Sequence, residues 1–171
     1  MGKKSKKEDK NIFFEARESA ELTRAQASEK LDFISESRLE KIETEKTAIH
    51  PEDVVAMADA YKRPDLCNYY CSHLCKIGEN SIPKIEPSTL AEIVLGMLSS
   101  LNSLEKQKER LIEITADGVI SDDELPDFAQ IQVQLEHIEM AVASLKLWVS
   151  NTVAEGKLDK EKYEKFKTQL R

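Results

Sequence analysis

The sequence predicts an all-α protein in two parts, a small N-terminal domain of short helices followed by a long antiparallel helical hairpin. Three observations lead to this prediction. The 171 residues include only five glycines and five prolines, a composition typical of helices. Apolar residues recur at spacings of three and four along most of the chain. Helix-capping residues precede many of these runs.

Four short helices are predicted within residues 11–66. The clearest start is Thr23, which forms a capping box with Gln26 three positions later. Pro51 opens the fourth helix, because proline favours the first helical position. The predicted helices run from Ile12 to about Ala20, from Arg24 to Leu31, from Ser35 to about Lys46, and onward from Pro51.

A cysteine-containing segment and a linker follow over residues 67–87. A helix is predicted from Asp65 to Lys76, ending at Gly78. Three cysteines without an export signal indicate reduced thiols or metal ligands rather than disulfides. Two interpretations stay open: thiols buried as small apolar groups, or a metal or redox sensor. The candidate ligands are Cys67, Cys71, His73 and Cys75.

The hairpin is predicted over residues 88–154. Ser88 caps its first helix, which runs to about Ala116, and Ser121 with Glu124 caps the second. Apolar spacings of three and four in the second helix favour a near-parallel helical partner. That predicted stripe consists of Phe128, Ile131, Leu135, Ile138, Val142, Leu145, Val149 and Thr152.

The two ends of the chain complete the domain prediction. Residues 1–10 hold five lysines beside Glu8 and Asp9, without apolar periodicity, and are predicted to be a disordered basic tail. Residues 155–171 are predicted to form a short C-terminal helix capped by Asp159.

The second and third predicted helices carry the motif that points to a function. Its elements are Leu-Thr at 22–23, Ile-Ser at 34–35, Ile-Glu at 42–43, and Met-Ala at 57–58 in the fourth helix. With these elements the segment resembles the XRE family of repressor- and Cro-type helix-turn-helix transcriptional regulators, over about residues 11–66. The resemblance implies buried anchors at Leu31, Ile34, Leu39 and Ile42. It also implies a close helix crossing at Ala27 and Ser28.

The resemblance implies a sequence-specific DNA-binding regulator that represses by occupying its site. In that family the second helix crosses the DNA backbone and the third enters the major groove. Arg38 is the expected base contact, since a guanidinium can bind a guanine edge through two hydrogen bonds. The implied DNA-binding residues are Arg24, Gln26, Ser35, Glu36, Ser37, Arg38 and Lys41.

Two features depart from the family pattern. The turn holds Asp32 and Phe33 where the family has a single glycine, so either the second helix is longer or the turn is rearranged. Residues 11–66 carry eight Lys and Arg against thirteen Asp and Glu, a net charge of −5, whereas DNA binders neutralise phosphates with basic side chains. The alternative function is therefore a protein-interaction adaptor that keeps this fold with little or no DNA binding.

Other function classes find no support in the sequence. The chain shows no phosphate loop, nucleophile elbow or catalytic triad, so neither an enzyme nor a cofactor is predicted. Neither a membrane-spanning run nor a secretory segment is evident, which predicts a cytoplasmic protein without a membrane partner. The predicted partners are double-stranded DNA and, through residues 88–154, a second copy or another protein.

Overall fold

The computed structural model describes residues 11–170, and between these residues all regular structure is helical, without a β-strand. This confirms the predicted all-α fold. The tail predicted over residues 1–10 lies outside the described residues. The α-helices are α1 (Ile12–Ser19), α2 (Arg24–Leu31), α3 (Glu36–Glu43), α4 (Pro51–Ala60), α5 (Asp65–Tyr69), α6 (Leu90–Ile114), α7 (Leu125–Ala154) and α8 (Lys160–Gln169).

The described chain divides into two compact units. One contains the residues up to Ile82 together with those from Ser150 onward, and the other spans Pro83–Val149. Helices α1 to α5 lie in the first unit. The second contains α6 and most of α7, which pack together as a hairpin. None of the helices within residues 11–170 has the length and apolar content that crossing a membrane requires.

Local capping defines the starts of the short helices. The Asn11 side chain accepts a hydrogen bond from the Phe14 amide at the start of α1. Thr23 and Gln26 form the predicted capping box, each side chain accepting from the other's backbone amide. These contacts satisfy amide groups that the first helical turn leaves without backbone partners.

The core of the first unit is formed by side chains from α1 to α5. All four predicted anchors, Leu31, Ile34, Leu39 and Ile42, are at most 3% exposed, which confirms that part of the interpretation. Ala27 is also fully buried. The core consists of Phe13, Ala16, Ala27, Leu31, Ile34, Leu39, Ile42, Val54, Met57, Ala58, Tyr61 and Leu66.

The turn between α2 and α3 is rearranged, whereas α2 itself ends at Leu31 as predicted. The Phe33 amide donates to the Leu31 carbonyl at 2.6 Å, and Asp32 between them has φ 57° and ψ −53°. This is a three-residue γ-turn of the rare positive-φ type. The Ser28 hydroxyl donates to the Ile34 carbonyl at 2.8 Å and ties the far end of the turn back to α2.

Helix α3 is shorter than predicted, since it ends at Glu43 rather than near Lys46. Glu45 has φ 57°, and the Lys46 amide donates back to the Lys41 carbonyl at 2.8 Å. The Glu45 amide donates in turn to the Ile42 carbonyl at 3.1 Å. Together these two bonds form a Schellman motif, which ends the helix although no glycine occupies the left-handed position.

The cysteine-containing helix also differs from the prediction. Helix α5 ends at Tyr69, a π-helical turn follows over Tyr70–Leu74, and the helix stops before Lys76. Gly78 belongs to a separate 3-10 turn, Gly78–Asn80. A Cβ atom on Gly78 would lie 2.2 Å from the Cys71 carbonyl oxygen. This glycine is therefore required by a close backbone approach rather than by a helix cap.

The hairpin begins at a cap one residue later than predicted. Thr89, rather than Ser88, caps α6, because the Thr89 side chain accepts from the Glu92 amide and Glu92 accepts from the Thr89 amide. Before α7, half of the predicted capping box forms: the Ser121 amide donates to Glu124 Oε2 at 3.0 Å, but the Glu124 amide donates to the Ser121 backbone carbonyl at 3.0 Å rather than to its hydroxyl.

Burial and spacing place one row of side chains of each helix between α6 and α7, and these two rows are here called the inner seam. Its members are buried or half-buried and follow alternating spacings of three and four, as in coiled coils. Near the turn, Arg110 Nε lies 2.7 Å from Asp127 Oδ2. The inner seam consists of Ile93, Met97, Ser100, Leu104, Gln107, Leu111 and Ile114 in α6, and of Ile131, Gln134, Ile138, Ala141, Leu145 and Trp148 in α7.

The stripe predicted for α7 only partly coincides with this seam. Ile131, Ile138 and Leu145 belong to both, but Leu135 is 46% exposed and Val142 is 38% exposed. Gln134 and Ala141 take the inner positions instead. A single helix partner covers only one side of a broad apolar stripe, so the other side of α7 stays exposed.

Candidate nucleic-acid interface

Helix α3 divides into a buried and an exposed face. Leu39 and Ile42 are buried in the core, whereas Glu36, Ser37, Glu40 and Lys41 are exposed. Because residues four positions apart share a helix face, Ser37 and Lys41 lie next to each other on the exposed surface. The surface that the resemblance assigns to base reading therefore combines the exposed Lys41 and Ser37 with two exposed carboxylates and the half-buried Arg38.

Arg24, an implied phosphate contact, forms an ion pair inside the domain. Its Nε lies 2.8 Å from Glu43 Oε2 at the end of α3, and its side chain is 35% exposed. The start of α2 is thus linked to the end of α3. Any contact of Arg24 with a phosphate must use the guanidinium nitrogens that Glu43 does not engage.

Arg17 in α1 completes this buried ion network. Its Nε lies 2.6 Å from Glu43 Oε1, and the side chains are 4% and 1% exposed. Its Nη1 donates to the Leu22 carbonyl at 2.6 Å and to Glu18 at 2.8 Å. Burial lowers the pKa of Arg17, but hydrogen bonds and charge attraction to Glu43 and Glu18 outweigh burial and raise it overall. The network holds α1, α2 and α3 together.

Arg38, the expected base contact, is paired with a buried carboxylate. Its Nη2 lies 2.5 Å from Asp53 Oδ2, with the Arg38 side chain 32% exposed and the Asp53 side chain 6% exposed. The same Asp53 oxygen accepts from the His50 amide at 3.1 Å. This contact links the start of α3 to the start of α4, and the ion pair holds one end of the guanidinium.

Two further implied DNA contacts act in helix caps. Ser35 accepts a hydrogen bond from the Arg38 amide at 3.3 Å at the start of α3. Gln26 Oε1 accepts from the Thr23 amide at 2.9 Å. Because Oε1 is engaged, Gln26 has its Nε2 as the donor for a phosphate oxygen.

The sequence does not predict three residues of these ion pairs. Glu43 belongs to the Ile-Glu pair of the resemblance, which predicts neither its burial nor its arginine partners, and the sequence assigns no ion-pair role to Asp53 or Arg17. A sequence signal does exist for Glu43, since it follows buried Ile42 and lies four residues after Leu39. No comparable signal identifies Arg17 as its partner, because the two residues are 26 positions apart.

The three cysteines lie in α5 and the π-helical turn that follows it, outside α2 and α3. Cys67, Cys71 and Cys75 are half-buried thiols, and His73 stacks on Tyr69 with ring centroids 4.5 Å apart. Burial, with help from Cys71 and Asp65, raises the pKa of Cys67 and so disfavours its thiolate. Within residues 11–170, no three His, Cys, Asp or Glu side chains are grouped so that they could hold a metal ion.

Comparison with protein families agrees with this geometry. Residues 15–66 match a family model described as a helix-turn-helix domain. The first unit contains a helix-turn-helix domain. The match covers less than a third of the 171 residues and includes α2, α3 and α4 completely. No curated protein and no solved structure matches the chain.

Proposed function

We propose that this protein is a sequence-specific DNA-binding transcriptional regulator of the XRE type that represses by occupying its site. The observation that supports this is the helix-turn-helix domain itself, with α3 exposing a continuous polar face. In this fold α2 lies across the phosphate backbone while α3 enters the major groove. The protein would act without catalysis or a cofactor, in the cytoplasm, with double-stranded DNA as partner.

The proposal assigns different DNA contacts to individual residues. Lys41 and Ser37 are the exposed donors on α3 and would contact bases or nearby phosphates. Gln26 and Arg24 would orient α2 on the backbone. Arg38 would reach a base either by leaving Asp53 or through the guanidinium nitrogens that the ion pair does not use, so its affinity for guanine is reduced by that competition.

The acidic residues of α3 limit how strongly the domain binds DNA. Each exposed carboxylate is repelled by phosphates, although it can also accept a hydrogen bond from cytosine. Glu36 and Glu40 therefore favour discrimination between sequences over general affinity. The proposal predicts weak non-specific binding and a shallow dependence of affinity on salt.

Selection of random duplexes at low salt, with the full chain, tests the proposal. An enriched sequence is expected, and Lys41→Ala should weaken binding to it by about tenfold, within the 1–3 kcal/mol typical of a specific contact. Lys76→Ala, which removes an exposed lysine outside α2 and α3, is the matched control and should bind as the unmodified chain does.

A second substitution tests whether the exposed face of α3 lies against DNA phosphates. Glu40→Gln removes one negative charge from α3 without changing its shape, and should strengthen non-specific DNA binding several-fold if α3 meets phosphates. Glu79→Gln is the control outside this face. Absence of any enriched duplex, together with unchanged binding of Glu40→Gln and Lys41→Ala, would contradict the proposal.

The second candidate function is a protein-interaction adaptor. A specific observation favours it: both arginines that the resemblance assigns to DNA, Arg24 and Arg38, form ion pairs within the domain. The net charge of −5 over residues 11–66 points in the same direction. The duplex selection decides between the two candidates, because an adaptor enriches no sequence.

A further inference from the structure

The hairpin exposes a row of apolar side chains beside its inner seam. Successive residues of a helix are rotated by about 100°, so residues of α6 that lie roughly 110° from the seam form a second row. This row includes Val94, Leu98 and Leu101, of which Leu98 is 49% exposed and Leu101 is 43% exposed. These residues also follow heptad spacing, which is the pattern of a helix with a second helical partner.

Helix α7 carries a matching row on the same side of the hairpin. Leu135, Val142 and Val149 are seven residues apart and are rotated from the inner seam by roughly 80°. In an antiparallel pair of helices, rows that are rotated from the inner seam in the same sense about their own helix axes lie on the same flank of the pair. The Arg110–Asp127 contact sets the register and brings Leu101 beside Leu135. We call this surface the apolar flank; it consists of Leu90, Val94, Leu98, Leu101, Leu135, Val142 and Val149.

The opposite flank of the hairpin differs in composition. A groove there is lined by small and polar residues, among them Gly96, Ser99 and Ser103 of α6 and His137 and Ser144 of α7. These residues lie roughly 80–95° from the inner seam in the other rotational sense. The groove side of the hairpin is therefore more polar than the apolar flank, although Met140 also lines the groove and Leu95 and Val133 are exposed elsewhere on the hairpin.

The charges next to the apolar flank match those of a second copy. Glu139 and Lys146 are both exposed and lie three residues before and four residues after Val142. If two α7 helices cross antiparallel near Val142, Glu139 of each copy lies close to Lys146 of the other. A twofold contact requires this self-complementarity, because the same residues meet on both sides.

The apolar flank runs from Leu90 to Leu101 along α6 and from Leu135 to Val149 along α7, so Val142 is its midpoint on α7. The twofold axis that brings Glu139 close to Lys146 therefore also passes through the middle of the flank, and each flank covers the other. Pairing two such hairpins gives a four-helix bundle, in which each helix has two neighbours and both of its apolar rows are covered.

We propose that the chain forms a twofold homodimer by joining the apolar flanks of two hairpins into a four-helix bundle. The contact is centred on Val142, with Leu101 and Leu135 of each copy on either side of that centre and Glu139 and Lys146 of opposite copies paired at its edge. This inference does not depend on DNA binding. It would also supply the second helix-turn-helix domain that a palindromic operator requires.

Sedimentation velocity of the full chain tests the dimer. The unmodified chain should sediment at twice its 19.4 kDa monomer mass at micromolar concentration. Val142→Glu places a carboxylate at the centre of the contact and should raise the dimer dissociation constant at least 100-fold, with unchanged helix content by circular dichroism. Ser99→Glu adds the same charge on the opposite flank and should remain dimeric.

A charge reversal tests the twofold geometry and does not depend on how Val142→Glu folds. Glu139→Lys should weaken the dimer, and adding Lys146→Glu in the same chain should restore it. The inference is overturned if the unmodified chain is monomeric at about 100 µM, if Val142→Glu folds and dimerises as tightly as the unmodified chain, or if the double reversal does not restore association. If the chain is dimeric but no duplex sequence is enriched, this inference stands and the DNA-binding proposal is contradicted.

Discussion

The helix-turn-helix region buries its apolar side chains in one core, whereas the hairpin leaves many of its apolar side chains exposed. Five short helices, α1 to α5, cross one another and enclose twelve buried apolar residues in one cluster. The two longer helices of the hairpin bury Ile93, Ile114 and Ile131 but leave Leu98, Leu101 and Leu135 more than 40% exposed. Helices that cross one another can bury apolar side chains on several sides. Two helices that pack side by side bury the apolar side chains on only one side of each.

This difference shows what each region needs in order to be stable. The helix-turn-helix region has a complete core and an internal ion network. The hairpin has an apolar surface that a monomer of this size rarely leaves uncovered. Substitutions in the first region should therefore change folding stability, and exposed substitutions in the second should change association. The following predictions test this comparison.

The largest effect is expected for Glu43→Ala in the helix-turn-helix region. Removal of this carboxylate leaves the buried Arg17 with only the exposed Glu18 carboxylate and the Leu22 carbonyl, and breaking a buried pair in this way costs up to about 3–5 kcal/mol. Urea denaturation with hydrogen exchange of α1 to α3 measures the loss. Glu40→Ala removes an exposed carboxylate from the same helix and should change stability by less than about 0.5 kcal/mol. Equal effects of the two would contradict the role given to the network.

The same leucine truncation should have different costs in the two regions. Leu39 is 0% exposed and Leu95 is 67% exposed. Leu39→Ala should cost about 2–5 kcal/mol, as for other buried leucines, whereas Leu95→Ala should cost less than about 1 kcal/mol. Hydrogen exchange of α3 reports the first, and fluorescence of the one tryptophan, Trp148, reports the second. A large cost at Leu95 would mean that its surface is covered in solution.

Gly78 and Gly96 differ in the space available for an added side chain. Gly78→Ala brings a Cβ against the Cys71 carbonyl and should destabilise the first unit by about 1–3 kcal/mol. Gly96 lies within α6 with nothing inside 4 Å of an added Cβ. Gly96→Ala should therefore stabilise the hairpin by about 0.5–1 kcal/mol. Thermal denaturation of the two variants measures these opposite signs, and a loss at Gly96 would refute the open groove.

The smallest effect concerns Tyr61, which is buried among the helices of the first unit. Burial and the nearby charge of Glu43 raise the pKa of Tyr61 to about 12, against a smaller opposing effect of Arg17. The folded protein thus keeps this proton to higher pH than the unfolded chain, so stability should fall as pH rises from about 10 toward 12.

Tyr61→Phe isolates that effect. Within the described residues the Tyr61 hydroxyl is buried without a hydrogen-bond partner, so its removal should leave stability at pH 7 unchanged or higher by up to about 1 kcal/mol. Denaturation midpoints between pH 9 and 11 should then decline less steeply than those of the unmodified chain. A clear loss of stability at pH 7 would show that the hydroxyl has a partner.

Local features could be predicted because their causes lie within a few residues. The capping box of Thr23 and Gln26 depends on contacts three positions apart, and Leu39 and Ile42 are buried because their spacing places them on one helix face. Helix ends were predicted less well. The Schellman motif at Glu45 uses a glutamate in a left-handed conformation, and the sequence offers no glycine there to mark it.

The sequence by itself determined the helices, the helix-turn-helix domain and the apolar rows of the hairpin, since these follow from spacing and capping. Only the tertiary structure decided which charged side chains form ion pairs. Arg24 pairs with Glu43, 19 residues away, and Arg38 pairs with Asp53, 15 residues away. The tertiary structure also decided which row of α7 faces α6. Both outcomes depend on how helices cross, and crossing angles come from the packing of many side chains rather than from any local pattern.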